Sequence, residues 1–408
     1  MVAKVLAKKS YKLTECLDRV IDNRGKTPPL CETGIELIEV NAIIDGRKAP
    51  AFENVRKFVL EETYAKWFRS GHPRRGDTLI STVGAIGRVA YVQEERGCIA
   101  QNVVSLRPKT DVLDGEFLYY FLSSSEAQHR LLSLNIGVAQ PSLKVPHLLS
   151  LEIELPSIHV QKRIAGILSV YDELIENSQR RINILESMAR ALYREWFVYF
   201  RYPGHESVPL VSSAIGNIPQ GWEVKKLKDM CRLTMGQSPK SEFYNETGEG
   251  TAFHQGVTDF GDRFPSDRLF CTTNGRVAEV GDILFSVRAP VGRLNIANKK
   301  ICLGRGLSAI RHNQNHQAFL WEQLRNRFTK DDMMGNGAIF ASVTKDDMQG
   351  IELVCPWDSL IRDATKNFEP IHTEITTLSL QVQNLRRTRD LLLPRLLSGQ
   401  INVDTVAA

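Results

Sequence analysis

Few residues in this chain of 408 have the types and spacing of bond-making chemistry. GRGLSA (304–309) satisfies G-x-G-x-x-A, a loop that cradles a pyrophosphate when a helix follows it. Here LSAIR follows and reads as a strand. His312 and His316 have the H-x-x-x-H spacing of a metal pair, but HNQNH lacks the glutamate of H-E-x-x-H. A solvated pair in a loop or helix start is expected. The KDD stretches at 330–332 and 345–347, and Glu223 beside Lys225, read as solvated surface rather than a nuclease core. There is no G-x-x-x-x-G-K-[ST], no G-x-S-x-G, and no N/D-P-P-Y/F tetrapeptide of an adenine methyltransferase. The chain is expected to perform no catalysis itself and to bind no metal or cofactor.

Binding chemistry is richer. Polar, basic loops between strands hold Arg24, Lys26, Arg74, Arg75, Arg88, Gln101, Asn102 and Gln140 in the first half of the chain. In the second half they hold Gln237, Lys240, His254, Gln255, Arg288, Arg293, Arg305 and Asn336. Arginine matches guanine edges, and asparagine or glutamine matches adenine edges. Arginine and lysine also hold phosphates without reading sequence. Gly87-Arg88 and Gly292-Arg293 have an equal structural reading, a glycine turn with its arginine packed on a carboxylate. With 52 basic against 47 acidic residues, the net charge of +5 permits nucleic-acid binding without requiring it.

The elements that must position these loops come in two sets. Leu155–Phe197 carries apolar residues at Val160, Ile164, Leu168, Tyr171, Ile175, Ile182, Leu185, Met188, Leu192 and Trp196, one face of a long helix. Two hundred residues on, the face returns as Leu360, Phe368, Ile371, Ile375, Val382, Leu385, Leu392 and Leu396. Pro370 and Pro394 should limit that second helix to 371–393. Each helix starts acidic (Asp172, Glu173, Glu176; Asp358, Asp363, Glu369, Glu374) and ends basic (Arg180, Arg181, Arg190, Arg194; Arg386, Arg387, Arg389, Arg395). Antiparallel packing would therefore bring opposite charges together. The loops between repeat too. Residues 279–297 answer 74–92, with Gly76/Gly281, Asp77/Asp282, Ser81/Ser286 and Gly87/Gly292 among the identical pairs. The expected fold is mixed α/β. Domains at 1–155 and 221–355 are separated by helices at 156–200 and 356–408, with a Pro/Gly/Ser-rich linker at 201–220.

Hydrophobic residues at 42% and charged ones at 24% are those of a globular protein. Seven scattered cysteines without a C-x-x-C pair fit free, mostly buried thiols in a reducing cytoplasm. No apolar run reaches membrane-spanning length, so no membrane partner is expected.

This arrangement resembles the specificity subunit of type I restriction–modification systems over nearly the whole chain. The stretches that carry the likeness are the central helix, IGNIPQGWEV, FHQGVTDFGDRFP (253–265), GDILFSVRAPVGRLNIA, CLGRGLSAIR and LRRTRDLLLPRLLSGQI (385–401). The first helix has the family's Q-K-R-I-A run at Gln161–Ala165. The second departs there, at Ile361–Thr365, but keeps R-D-L-L-L-P-R-L at Arg389–Leu396. The resemblance implies two target-recognition domains related by a pseudo-two-fold, each reading half of a split double-stranded DNA target. Two long antiparallel coiled-coil helices would hold them apart. It also implies docking of two modification subunits that use S-adenosylmethionine, and of restriction subunits that use ATP and Mg. The alternatives are a stand-alone or fused DNA methyltransferase or nuclease, or a scaffold without DNA contact.

Overall fold

The computed structural model describes residues 8–25, 27–136, 141–273, 275–328, 333–334, 338–339 and 342–403. In order, the first half holds β1 (Lys9–Lys12), β2 (Leu17–Ile21), β3 (Ile35–Ile38), β4 (Phe58–Val59), α1 (Glu61–Trp67), β5 (Thr78–Ser81), β6 (Val89–Tyr91), β7 (Cys98–Ile99), β8 (Val103–Pro108), α2 (Gly115–Ser123), α3 (Ser125–Ser133), α4 (Val145–Leu149), β9 (Glu152–Leu155) and α5 (Ile158–Tyr193). A hairpin, β10 (Leu210–Ser213) and β11 (Gly216–Pro219), follows. The second half holds β12 (Glu223–Lys226), α6 (Leu227–Met230), β13 (Cys231–Met235), β14 (Tyr244–Asn245), β15 (Thr251–His254), β16 (Leu269–Cys271), β17 (Val277–Ala278), β18 (Ile283–Ser286), β19 (Leu294–Ile296), β20 (Ile301–Leu303), β21 (Leu307–His312), α7 (Gln317–Arg327), β22 (Met333–Met334), β23 (Ala338–Ile339), α8 (Lys345–Gln349), β24 (Glu352–Cys355) and α9 (Asp358–Ser398).

Two compact units emerge: 1–177 with 382–408, and 178–381. Each is built on the same four-stranded antiparallel sheet, in the order β2-β8-β5-β6 in the first and β13-β21-β18-β19 in the second. A second sheet, three-stranded in the first unit and five-stranded in the second, joins β3 in parallel to β7, and β15 in parallel to β20. A two-stranded ribbon, β1 with β9 or β12 with β24, closes each unit. The central strands are buried on both faces, and their side chains alternate between two cores. Ile80 packs with the helices and Leu79 with the smaller sheet. In the second unit, Ile283 and Phe285 face the helices while Leu284 faces the other way.

The identical pairs of the repeat hold these sheets together. Asp77 is buried, accepts from the backbone N of Arg74 at 2.9 Å and pairs with Arg107 at 2.9 Å. Asp282 accepts from the N of Glu279 at 2.8 Å and pairs with Arg311 at 2.5 Å. Ser81 Oγ accepts from Arg88 N at 2.9 Å, and Ser286 Oγ from Arg293 N at 2.8 Å. Gly87 and Gly292 lie at φ +82° and +91°, the left-handed region that closes this loop without a Cβ penalty.

The helices and the linker differ from expectation in three ways. α9 runs unbroken through Pro370 and Pro394. The flanking residues Phe368 and Leu396 are buried, and packing of that face outweighs the lost hydrogen bonds. α5 ends at Tyr193 and finishes in one wider turn, Arg194–Val198. The linker is not structureless, because 210–219 forms the β10–β11 hairpin.

The apolar seam also holds polar groups that periodicity does not reveal. In the first unit Val160, Ile164, Leu168 and Ile175 are buried, but so are Gln161 and Asp172, with Leu393, Leu396 and Arg389 from α9. Tyr171 and Leu392 are half-buried. Gln161 has no exposed surface; its amide accepts from Asp114 N at 3.0 Å and donates to Val112 O and Pro156 O, both at 2.9 Å. In the second unit Ile182, Ala189, Tyr193, Leu360, Phe368, Ile375 and Val343 are buried. Leu185, Leu192, Trp196 and Ile371 are half-buried. Val382 is buried and Leu385 half-buried in the first unit. No helix among the described residues is long and apolar enough to cross a membrane.

Candidate nucleic-acid interface

One end of each four-stranded sheet gathers several of the candidate residues. In the first unit β5 pairs with β8 so that Ser81 meets Val103, and the turn before β8 carries Gln101 and Asn102. Thr82 N donates to Asn102 O at 2.9 Å, and Leu143 N donates back to Thr82 O at 2.8 Å. β2 ends at the same side, since Ile21 pairs with Ser105, and Arg24 follows it. Arg24, Thr27, Glu39, Lys57, Val83, Gln101 and Asn102 line one open cleft of about 450 Å³. Arg24 is pinned to Asp22 at 2.6 Å. Asn102 Oδ1 is buried and meets no donor among the described residues.

Arg88 takes the structural reading as well. Its guanidinium lies 3.2 Å from Asp45 and faces a second cavity, of about 610 Å³, lined by Gly87, Tyr120, Gln128, Arg389 and Leu393. Arg74 and Arg75 are exposed but sit at the opposite end of β5, before Thr78. They do not join the cluster. Lys26, Gln140, Asn336 and the acidic stretch 330–332 lie outside the described residues.

The second unit repeats the gathering. Gln237 follows β13 and donates its N to Leu303 O at 2.9 Å. Gly304-Arg305-Gly306 forms the turn before β21, with Gly306 N donating to Gln255 O at 3.0 Å. A Cβ at Gly304 would stand 2.6 Å from Gln255 Cα, and one at Gly306 2.3 Å from Gln255 O. The glycines of GRGLSA thus serve close backbone approach, and LSAIR is strand β21 as expected. Arg305 N donates to Ser238 Oγ at 3.1 Å and its side chain is exposed. Arg288 and Arg293 are exposed on the loop after β18. Lys240 is exposed, 3.9 Å from Glu242. His254 departs from the loop expectation: it is the last residue of β15, with no exposed surface, and lies 3.3 Å from Asp267.

Sequence reasoning missed Glu39 and Lys57 because neither lies in a glycine-rich or arginine-rich loop. It also missed buried charge around α7 and α9. Arg263 reaches His372 Nδ1 at 3.1 Å, and His372 Nε2 lies 3.1 Å from Glu322. Burial pushes Arg263 down to about 10. Among the described residues, no three His, Cys, Asp or Glu side chains gather as a metal site.

The His312–His316 pair is not solvated. His312 is 5% exposed, its ring 5.2 Å from that of His316. Burial, and then the neighbouring His316, push His312 down to about 4. Its Nδ1 accepts from Gln314 N at 3.1 Å, which suits a neutral ring. An unfolded histidine titrates near 6.5, so between about pH 6.5 and 4 the unfolded chain binds the extra proton. This contribution to stability is complete above pH 6.5 and is lost as pH falls towards 4. Thermal melts at pH 7 and pH 4.5 should show His312→Asn losing about 2 kcal/mol less than the unsubstituted chain on acidification. Equal losses would refute the buried neutral ring.

These observations define a class: a duplicated α/β protein whose two sheets present unequal polar loop ends. Residues 72–187 and 219–359 match the type I restriction modification DNA specificity domain, and the chain belongs to that family. It is 32% identical over 340 residues to the MjaX type I restriction enzyme specificity subunit of Methanocaldococcus jannaschii, covering 81% of this chain and 79% of that one. The MjaIX specificity subunit of the same organism is 25% identical over 355 residues, covering 81% and 78%. The solved S subunit of a type I restriction–modification system from M. genitalium superposes with a TM-score of 0.59 at 17% identity, over 97% of both chains. This chain is thus a type I specificity subunit of mixed α/β fold.

Proposed function

We propose that each unit reads one half of an asymmetric, bipartite duplex target, and that the chain itself catalyses nothing. The observation that carries this reading is the duplicated sheet end. Residues that build it recur in the two units, as in Ser81/Ser286 and Gly87/Gly292, while the residues it presents differ, as in Gln101 and Arg305. Two similar heads on one chain act as a dimer does on half-sites, but with unlike halves.

The helices are the spacer in this reading, paired antiparallel. Its support is the order of their ion pairs: Asp172 meets Arg389 at 2.5 Å, and Arg181 meets Glu374 at 2.6 Å. The α9 partner number falls as the α5 number rises. Two modification subunits dock on the helical region, where α5 leaves Val170, Leu174, Ile184 and Met188 about half exposed. Those subunits supply S-adenosylmethionine chemistry, and restriction subunits supply ATP- and Mg-dependent cleavage, in the cytoplasm.

Exchanging residues 1–150 for the matching domain of another member tests this. Mapping methylated sites in cells expressing the whole system should show one half of the target replaced and the other kept. Replacement of both halves, or of neither, overturns independent reading.

A further inference from the structure

The backbone hydrogen bonds align the two reading ends residue by residue. Ala100 N donates to Ile38 O at 2.9 Å, and Gly304 N donates to His254 O at 2.8 Å. Thr82 N donates to Asn102 O and Val287 N to Gly306 O, both at 2.9 Å. Leu143 N and Val343 N then close the same loops at 2.8 Å, onto Thr82 O and Val287 O. In this alignment Glu39 occupies the place of Gln255, and Gln101 the place of Arg305. None of the other contacts requires the two chemistries to differ.

Glu39 is the unexpected member. It lines the first unit's cleft among Arg24, Lys57, Gln101 and Asn102. Its Oε1 accepts from Lys57 Nζ at 2.8 Å, with 22% and 44% of the two side chains exposed. A carboxylate in a cleft for DNA repels phosphate; Lys57 offsets the charge of Glu39, and the carboxylate suits a hydrogen-bond donor on a base. The major groove offers two such donors, cytosine N4 and adenine N6, and cytosine N4 stands beside guanine, whose O6 and N7 suit a lysine. An ion-paired glutamate and lysine present an acceptor next to a donor, the complement of that edge. At the equivalent position Gln255 presents both in one amide, the complement of adenine N6 and N7. It is exposed, with its backbone fixed by the Gly304–Gly306 turn.

We propose that Glu39, supported by Lys57, and Gln255 are the equivalent base-reading positions of the two units, Glu39 taking the cytosine of a C·G pair and Gln255 an adenine. This rests on the DNA-reading function proposed above.

The test uses the full-length chain co-purified with the modification subunits of its own system, and duplexes selected from a randomised pool. Glu39→Gln should weaken the preference for C·G at a single pair of one half by roughly ten- to a hundredfold, shifting it towards A·T. Gln255→Glu should change a single pair in the other half. In each variant the untouched half reports a folded protein. Retention of the full motif, changes in both halves or loss of both halves overturns the assignment. Selection of no bipartite motif by the unsubstituted complex would instead sink the DNA-reading function beneath it.

Discussion

Replacing Arg389 with methionine is expected to cost the first unit about 3–5 kcal/mol, the usual penalty for stranding one partner of a buried ion pair. Arg389 is 8% exposed and Asp172 is 3% exposed. Arg389 Nη1 donates to Asp172 Oδ1 at 2.5 Å and to Gly46 O at 3.3 Å, while Tyr120 donates its hydroxyl to Asp172 Oδ2 at 2.5 Å. Burial disfavours the charged guanidinium, but Asp172 and then Asp390 more than reverse that, and Arg389 titrates above its ordinary range. Burial and the same carboxylate keep Tyr120 protonated. Methionine keeps the apolar stem and removes every donor, leaving a buried carboxylate with one hydroxyl. For a unit of about 200 residues the loss lowers the melting temperature by roughly 10 °C. Adding Asp172→Asn removes the stranded charge and should recover about 2 kcal/mol, a coupling read from a double-mutant cycle in urea. If Arg389→Met melts within a degree or two of the unsubstituted chain, the pair does not hold this unit together.

Asp172 and Arg389 show where sequence reading succeeded and where it stopped. Their opposite placement on the helices was legible as a charge gradient. Their burial was not, because periodicity registers apolar residues and passes over a charged pair sharing the seam. The same blindness hid Gln161, whose run resembles the family's but whose role is to satisfy the backbone around α2. Strands β5 and β18 were legible because short apolar runs, Leu79-Ile80 and Ile283–Phe285, lie between glycine turns. Pro370 and Pro394 misled because local propensity argues for breaks, whereas helix length here is set by packing along the whole face. Glu39 was invisible for another reason. Its meaning comes from standing beside Lys57, eighteen residues on, and from occupying the place of Gln255, a match that only hydrogen-bond partners define. Arg74 and Arg75 carry the same chemistry, yet strand β5 separates them from the loop end that gathers Gln101 and Asn102.

Inserting three heptads into both α5 and α9, near Asn177 and Gln381 where the chain passes from one compact unit to the other, is expected to lengthen the spacer of the target by about eight or nine base pairs. On the proposed spacer role, twenty-one helical residues add about 31 Å. A duplex rises about 3.4 Å per base pair and completes a turn in about 10.5. Distance alone would give about nine base pairs. A left-handed helical pair with a pitch near 150 Å also winds back by roughly 75° over that length, so reading faces realign slightly before a full duplex turn. A single heptad adds only about 10 Å, close to three base pairs, over which the duplex turns by roughly 100°. The pair turns about 25° the other way, so the second reading end points away from its groove. The single-heptad variant should therefore lose methylation although its helices stay in register, while the three-heptad variant keeps it at a longer spacer. Single-molecule mapping of methylated adenines distinguishes the two. Methylation by the three-heptad variant at the original spacer would show that the helices do not measure the target, and equal activity of both variants would show a flexible tether in place of a ruler.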